Sequence, residues 1–244
     1  MNDIKYSFGK YKVTKNEKTL LVQKIFSEIA NNYDLMNDLM SFGTHRIWKR
    51  EFLNIVNIQE KEKIIDVGTG TGDLVKMIYK KRKGNLITSV DLNYEMLNYA
   101  KKSINSLNDI NWINSNAENL PFKKNFFDKY MISFCLRNIT LIQKAINESY
   151  RILKPGGSFY CLEFSKPESS LLNSIYKSYK KNIIPLIGDK ITNNINAYKY
   201  LEESIGQFYD QDHLLEMINK SGFKNTSYVN LFNGIISIHI GHKI

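Results

Sequence analysis

Between Leu21 and Ile29 the apolar residues fall at Leu21, Val22, Ile25, Phe26 and Ile29, a spacing that gathers them on one face of a helix. The same period runs through "YDLMNDLMSFGTHRIWKREFLNIV" (33–56), broken near Ser41-Phe42-Gly43. The first sixty or so residues are therefore expected to be helical. The texture then changes. "KIIDVGTGTGD", "LITSVDL", "FFDKYMISF" and "SFYCLEFS" are short β-branched or aromatic runs. Helical periods separate or follow them at 74–82, 94–104, 141–153 and 168–182. Strands alternating with helices predict an α/β fold, a mostly parallel sheet with helices on both faces. "HLLEMINKSGF" reads as a late helix stopped by Gly222, and "TSYVNLF" with "GIISIHIG" as a closing hairpin around Asn233-Gly234. No internal repeat or low-complexity tract interrupts this order.

The pattern divides the chain into a flexible lead-in (1–17), a helical cap (18–60) and one α/β domain (61–244) with a helical insertion at about 168–208. A chain of 244 residues buries enough apolar surface to need no disulfide or metal staple. No run approaches the ~18 consecutive apolar residues of a membrane span, and the N-terminus has no apolar core of a signal peptide. A cytoplasmic protein is expected. Cys135 and Cys161, both in apolar surroundings, are then reduced, buried hydrophobes. The net charge of +10 changes less than its size suggests. The lysines are scattered singly, and the run Lys80-Lys81-Arg82-Lys83 suits a solvated helix C-terminus. No nucleic-acid partner is inferred, although an anionic membrane surface would benefit from the same charge.

The strongest local signal is "IIDVGTGTGDL" (64–74). Asp66 ends a strand, and Gly68, Gly70 and Gly72 let the backbone turn and a ligand approach the main chain. Asp91 closes the next strand, placed to accept both hydroxyls of a ribose. A structural turn, a dinucleotide site and a site for S-adenosylmethionine all fit this much. The spelling G-x-G-x-G-D puts the third glycine one residue earlier than the dinucleotide fingerprint does. "SNAENLPFKKNFFD" then places Asn116-Ala117 after a third strand, suited to reading an adenine edge, and "ILKPGG" turns a helix into a strand. Loop, acid, N-A-E-x-L-P-F and L-K-P-G-G, in that order, resemble Class I methyltransferases that use S-adenosylmethionine.

The flanking stretches "YDLMNDLMSFGTHRIWKR", "SFCLRN", "LEFSKP" and "DQDHLLEMINKSGF" narrow the resemblance to the ubiquinone/menaquinone biosynthesis C-methyltransferases, over roughly residues 18–244. It implies a Rossmann-like seven-stranded sheet with S-adenosylmethionine at the strand C-terminal ends. Carried onto this chain, the cofactor contacts fall on Thr71, Asp91, Asn116, Ala117 and Ser133, beside Asp66, Gly68 and Gly70 of the loop. The substrate implied is a polyprenyl benzoquinol, with "HRIWKR" closer to the ubiquinone branch than to demethylmenaquinol. A homodimer, a quinone-biosynthesis complex and peripheral contact with the inner membrane are family-level expectations. Cys135 stands where the family usually has glycine, and Thr69 replaces a common small residue.

A ring carbon is a poor nucleophile until the quinol hydroxyl, near pKa ~10, loses its proton. The site therefore needs a proton acceptor, an oxyanion stabiliser and a dry cavity, and no metal. Arginine is scarce here, at Arg46, Arg50, Arg82, Arg137 and Arg151 only. Arg137 lies just beyond an apolar strand, and its fixed charge and planar fork suit an oxyanion better than a lysine would. Asn138 would fix that arginine or a water. His45 titrates near neutrality; a structural histidine on the cap fits as well. Tyr33 and Asp34 are placed at the entrance, and Glu163 either binds substrate or braces Arg137. The apolar stripe Leu171, Leu172, Ile175, Tyr176, Tyr179 reads as a core-facing helix or a lipid-facing one. A catalytically silent scaffold that binds S-adenosylmethionine, and an RNA methyltransferase suggested only by the charge, are the competing functions.

Overall fold

The computed structural model describes residues 5–81, 84–104, 109–167 and 195–244. A seven-stranded sheet runs β5-β4-β3-β6-β7-β9-β8. Its strands are β3 (Lys63–Val67), β4 (Leu86–Asp91), β5 (Ile110–Asn114), β6 (Phe127–Ser133), β7 (Leu153–Phe164), β8 (Lys224–Leu231) and β9 (Ile236–His242). The pairs β3–β4, β3–β6, β4–β5 and β6–β7 are parallel. Only β9 runs against its neighbours β7 and β8. It closes the expected hairpin, with Asn233 and Gly234 at positive φ of 55° and 86°.

Alternation along the strands sends successive residues to two cores. Ile65, Val67, Tyr130 and Ile132 join one cluster with α6 (Ile142–Ile152) and α8 (Gln211–Lys220). Ile64, Met131, Tyr160 and Leu162 join the other, with α4 (Asp73–Lys81) and α3 (His45–Val56). So α3, read from the sequence as part of the helical cap, lies in the layer covering the sheet. Trp48, Phe52, Leu53 and Val56 bury its apolar stripe against β3, β6 and β7.

The other cap helices, α1 (Lys15–Ile29) and α2 (Tyr33–Ser41), lie near α5 (Tyr94–Ser103) and α7 (Ile195–Gln207). Ile29, Met36, Met40, Met96, Ala197 and Tyr198 form a third, smaller core there. The lead-in is also a correction. Residues expected to be flexible form an antiparallel hairpin, β1 (Tyr6–Phe8) and β2 (Tyr11–Val13). Phe8 stacks on Tyr200 of α7 with ring centroids 4.9 Å apart, and Thr14 with Glu17 makes a capping box at the start of α1. The hairpin is anchored by partners nearly two hundred residues away, which no local pattern reveals. The apolar stripe at 171–179 lies outside the described residues, as does most of the expected insertion; its last part is α7. Among the described residues no helix is long and apolar enough to cross a membrane, and both cysteines are free.

Strand order reverses between β3 and β6. In open α/β sheets the crevice at that reversal, outside the strand C-terminal ends, is where ligands bind.

Candidate active site

Loops at the C-terminal ends of the strands meet at this crevice. After β3 the chain turns through Gly68, Gly70 and Gly72, all at positive φ (70°, 54° and 80°). At Gly68 space demands glycine as well, since a β-carbon there would overlap Cys135 Sγ; at Gly72 one would press on the end of the Ile104 side chain. The loop is tied down by acids. Thr69 Oγ1 donates to Asp66 at 2.7 Å, and the Gly70 amide donates to Asp91 Oδ2 at 2.8 Å. The other Asp91 oxygen accepts the Asn93 amide at 2.8 Å. Burial pushes the Asp66 and Asp91 carboxyls up to about 6. The backbone amides pull Asp91 back only in part.

Two cavities open here. The smaller, about 110 Å³, is bounded by Gly68, Asp91, Asn116, Ala117, Ser133 and Asn138, among others. The larger, about 340 Å³, is bounded by Asp66, Thr71, His45, Lys49, Arg137 and an aromatic set. Tyr33, Gly68, Gly70, Ser133 and Phe134 border both, so they mark the shared wall. S-adenosylmethionine fits this arrangement by its chemistry. Asp91 at the end of β4 offers the remaining lone pairs of both oxygens to a ribose, and Asn116-Ala117 follows β5. Ser133 Oγ, buried at the shared wall, has no hydrogen-bond partner. The bare backbone of Gly68 and Gly70 admits a ligand between the two cavities.

The larger cavity is aromatic on one side. Trp48 lies 6.0 Å from Phe134, 6.1 Å from Phe164 and 5.7 Å from Phe232, centroid to centroid. Phe134, the residue after β6, has φ 53°, a strained conformation for a bulky side chain. Arg137, in the short 3₁₀ turn that follows, is buried. Its Nη1 donates to Glu163 Oε1 at 2.7 Å and to the Phe134 carbonyl at 2.6 Å. Its guanidinium carbon lies 5.4 Å from the centre of the Phe164 ring. Burial, the largest single influence, pushes Arg137 down, but the charge and hydrogen bond of Glu163 together with Tyr33 and Tyr200 outweigh it and hold Arg137 above its ordinary value. Glu163 is 0% exposed and borders neither cavity, so it takes the bracing place. Asn138 borders the smaller cavity and accepts the Tyr200 hydroxyl at 3.0 Å.

On the cap side, His45 opens α3 and borders the larger cavity. Its Nε2 is 2.8 Å from Asp38 Oδ1. Asp34 borders neither cavity; it accepts Thr71 Oγ1 at 2.6 Å and so ties α2 to the glycine loop. Tyr33 sits on the shared wall, its hydroxyl pushed up to about 12 by burial. The larger cavity also holds a charged pair that no motif in the sequence singles out. Lys49 Nζ is 3.0 Å from Asp73 Oδ2. The signal was present, since Lys49 follows Trp48 on the α3 face and Asp73 is the "D" ending the glycine run. Among the described residues no cluster of histidine, cysteine or acidic side chains could hold a metal ion.

This fold and crevice define a Class I methyltransferase that draws its methyl group from S-adenosylmethionine. Residues 11–243 match the model of the ubiE/COQ5 methyltransferase family, and the chain belongs to that family. It is 48% identical to the ubiquinone/menaquinone biosynthesis C-methyltransferase UbiE of Rickettsia prowazekii, across 98% of each chain. Identity to the protein of the same name from Pectobacterium atrosepticum is 41%, over 97% of this chain and 96% of that one. Among solved structures, a SAM-dependent methyltransferase from Thermotoga maritima superposes with a TM-score of 0.65 at 20% identity, covering 91% of this chain and all of the other. That likeness bears on the fold alone.

Proposed function

We propose that the protein methylates a ring carbon of a polyprenyl quinol, with S-adenosylmethionine as donor. One observation carries this reading: a cavity walled by Trp48, Phe134, Phe164 and Phe232 meets the cofactor crevice at Ser133 and Gly68, with Arg137 among its lining residues. An aromatic ring suits those walls, and a fixed cation suits a ring oxygen that gains negative charge. S-adenosylmethionine supplies a methyl group on a positively charged sulfur. The chain's residues do the rest. Asp91, Asn116, Ala117 and Ser133 hold the cofactor, and Thr71 fixes the loop. Arg137, braced by Glu163, stabilises the oxyanion. Asn138, held by Tyr200, keeps the Arg137 turn in register with α7. Phe42 and Phe232, 74% and 51% exposed, border the same cavity and mark where an apolar tail leaves.

The relatives' names join ubiquinone and menaquinone biosynthesis; the two substrates proposed accordingly are a benzoquinol and a demethylmenaquinol. Incubation with labelled S-adenosylmethionine and short-chain forms of each, under reducing conditions, tests the proposal. A ring-methylated product from at least one is expected. Cofactor binding without product from either would leave a silent scaffold as the better reading. A homodimer and contact with an anionic membrane are tested by light scattering and vesicle flotation.

A further inference from the structure

Resting on the quinol reading, we propose that His45, oriented by Asp38, is the base that takes the proton from the quinol hydroxyl. Six ionisable groups border the larger cavity: Tyr33, His45, Lys49, Asp66, Asp73 and Arg137. Lys49 and Arg137 are cations without a free lone pair. Tyr33 keeps its own proton. Asp73 is paired with Lys49. Asp66 is 1% exposed and accepts Thr69, holding the glycine loop. His45 is left, and it has an unused nitrogen: Nδ1 is buried with no hydrogen-bond partner.

The tautomer follows from the neighbours. Arg46 donates to both Asp38 oxygens, from Nε at 2.8 Å and from Nη2 at 2.7 Å. That keeps Asp38 ionised, so it can only accept. The Nε2 facing it at 2.8 Å therefore carries the hydrogen, and Nδ1 carries the lone pair. The turn between the helices makes this possible. Phe42 and Gly43 at φ 48° and 72° fold α3 back so that residues seven apart meet. Other charges bear on the ring as well: Lys49 from its own helix, and Asp73 from α4. Burial and Lys49 push the imidazole below its ordinary value, against the pull of Asp38 and Asp73. The resting ring is neutral and ready to accept.

The step balances. The quinol O–H bond breaks and an N–H bond forms at Nδ1. The electron pair left on oxygen spreads onto the ring carbon that receives the methyl group; as the new C–CH3 bond forms, the donor's S–CH3 bond would break with its electron pair left on sulfur, and the neutral thioether would leave. The C–H proton of that carbon passes to solvent, which restores the aromatic ring, and His45 returns its proton to the oxygen. One proton is released per methyl transferred. A phenol gives its proton to a weaker base only where a cation holds the oxyanion, which is the part of Arg137. Asp38 stabilises the imidazolium while it lasts.

The test compares wild type with His45→Asn, Asp38→Asn and Asp66→Asn, using full-length protein and the quinol that wild type methylates. Nitrogen-15 spectra of the imidazoles in wild type should show the Nε2–H tautomer for His45. The His45→Asn variant should lower kcat by roughly 10²–10³, the range for loss of a general base, while S-adenosylmethionine affinity by calorimetry is unchanged. Its rate should climb as pH rises toward the quinol's own ionisation, and added imidazole should restore part of it. Asp38→Asn should give a smaller loss. An Nδ1–H tautomer overturns the proposal. So does wild-type kcat in His45→Asn, or a loss that neither pH nor imidazole recovers. A pH-recoverable loss in Asp66→Asn in place of His45→Asn moves the base to Asp66. If wild type methylates no quinol, the substrate reading fails first and the base falls with it.

Discussion

Arg137 Nη1 and Glu163 Oε1 lie 2.7 Å apart, with 4% and 0% of their side chains exposed. Glu163 Oε2 also accepts the Arg137 backbone amide at 3.3 Å. The carboxylate at the end of β7 thus holds both the charge and the turn that carries it. Removing one partner of such a buried pair leaves the other charge uncompensated. Glu163→Ala should destabilise the fold by about 3–5 kcal/mol, read by urea unfolding. Glu163→Gln, which keeps the shape, should cost less and should lower kcat by loosening Arg137.

Arg137→Lys keeps a positive charge and loses the fork. It should lower kcat by about 10²-fold, the scale of one lost oxyanion donor, while S-adenosylmethionine affinity stays near wild type. Steady-state kinetics beside calorimetry separates the two. An equal loss in cofactor affinity would mean that the turn, rather than the charge, had failed.

On the proposed reading, in which Asp91 holds the ribose, its ionisation sets a pH limit on cofactor binding. Burial pushes its carboxyl up to about 6, and it must be ionised to accept two ribose hydroxyls. Cofactor affinity should be flat above pH 7 and fall as pH drops through about 6, by roughly tenfold per unit for a single required carboxylate. Binding near pH 6 should release protons, detected as a buffer-dependent heat. Asp66 titrates in the same range, so Asp66→Asn isolates the contribution of Asp91.

His239, fully buried on β9, has its Nε2 2.9 Å from the Gln211 carbonyl. Burial pushes it down to about 4. The folded chain keeps it neutral where the unfolded chain protonates it, so its contribution is present above about 6.5 and lost as pH falls toward 4. Asp66 and Asp91 act in the opposite sense, since raised carboxyls favour the fold as pH falls through 6. The stability of wild type relative to His239→Phe cancels those two groups. That difference should shift against wild type by roughly 2–3 kcal/mol between pH 7 and 4.5, by chemical denaturation at each pH.

Gly68 and Cys135 form a complementary contact, one residue without a β-carbon facing a thiol. Gly68→Ala should weaken cofactor binding sharply and destabilise the fold, since it adds both a clash with Cys135 and strain at φ 70°. In Gly68→Ala/Cys135→Gly the clash is gone and the strain remains. A double-mutant cycle should therefore show partial recovery.

Local chemistry made much of the protein legible before any coordinates. Short β-branched and aromatic runs placed β3, β4 and β6 to β9, and the 3.6-residue period placed α1 to α6 and α8 within a few positions. The glycine run, Asp91 and Asn116-Ala117 marked the crevice, because close backbone approach and hydroxyl acceptance each need particular residue types. The pattern could not show that α3 belongs to the sheet's own core, because an apolar stripe does not say what will cover it. Nor could it show that β1 and β2 are ordered, because their partners lie on α7. Tertiary structure alone decided the pairings that give the site its chemistry: Glu163 with Arg137, Asp38 with His45, Lys49 with Asp73, Cys135 against Gly68. A side chain's type is written in the sequence. The charge it neutralises, the proton it keeps and the space it fills depend on neighbours that only the folded chain brings within a few ångströms.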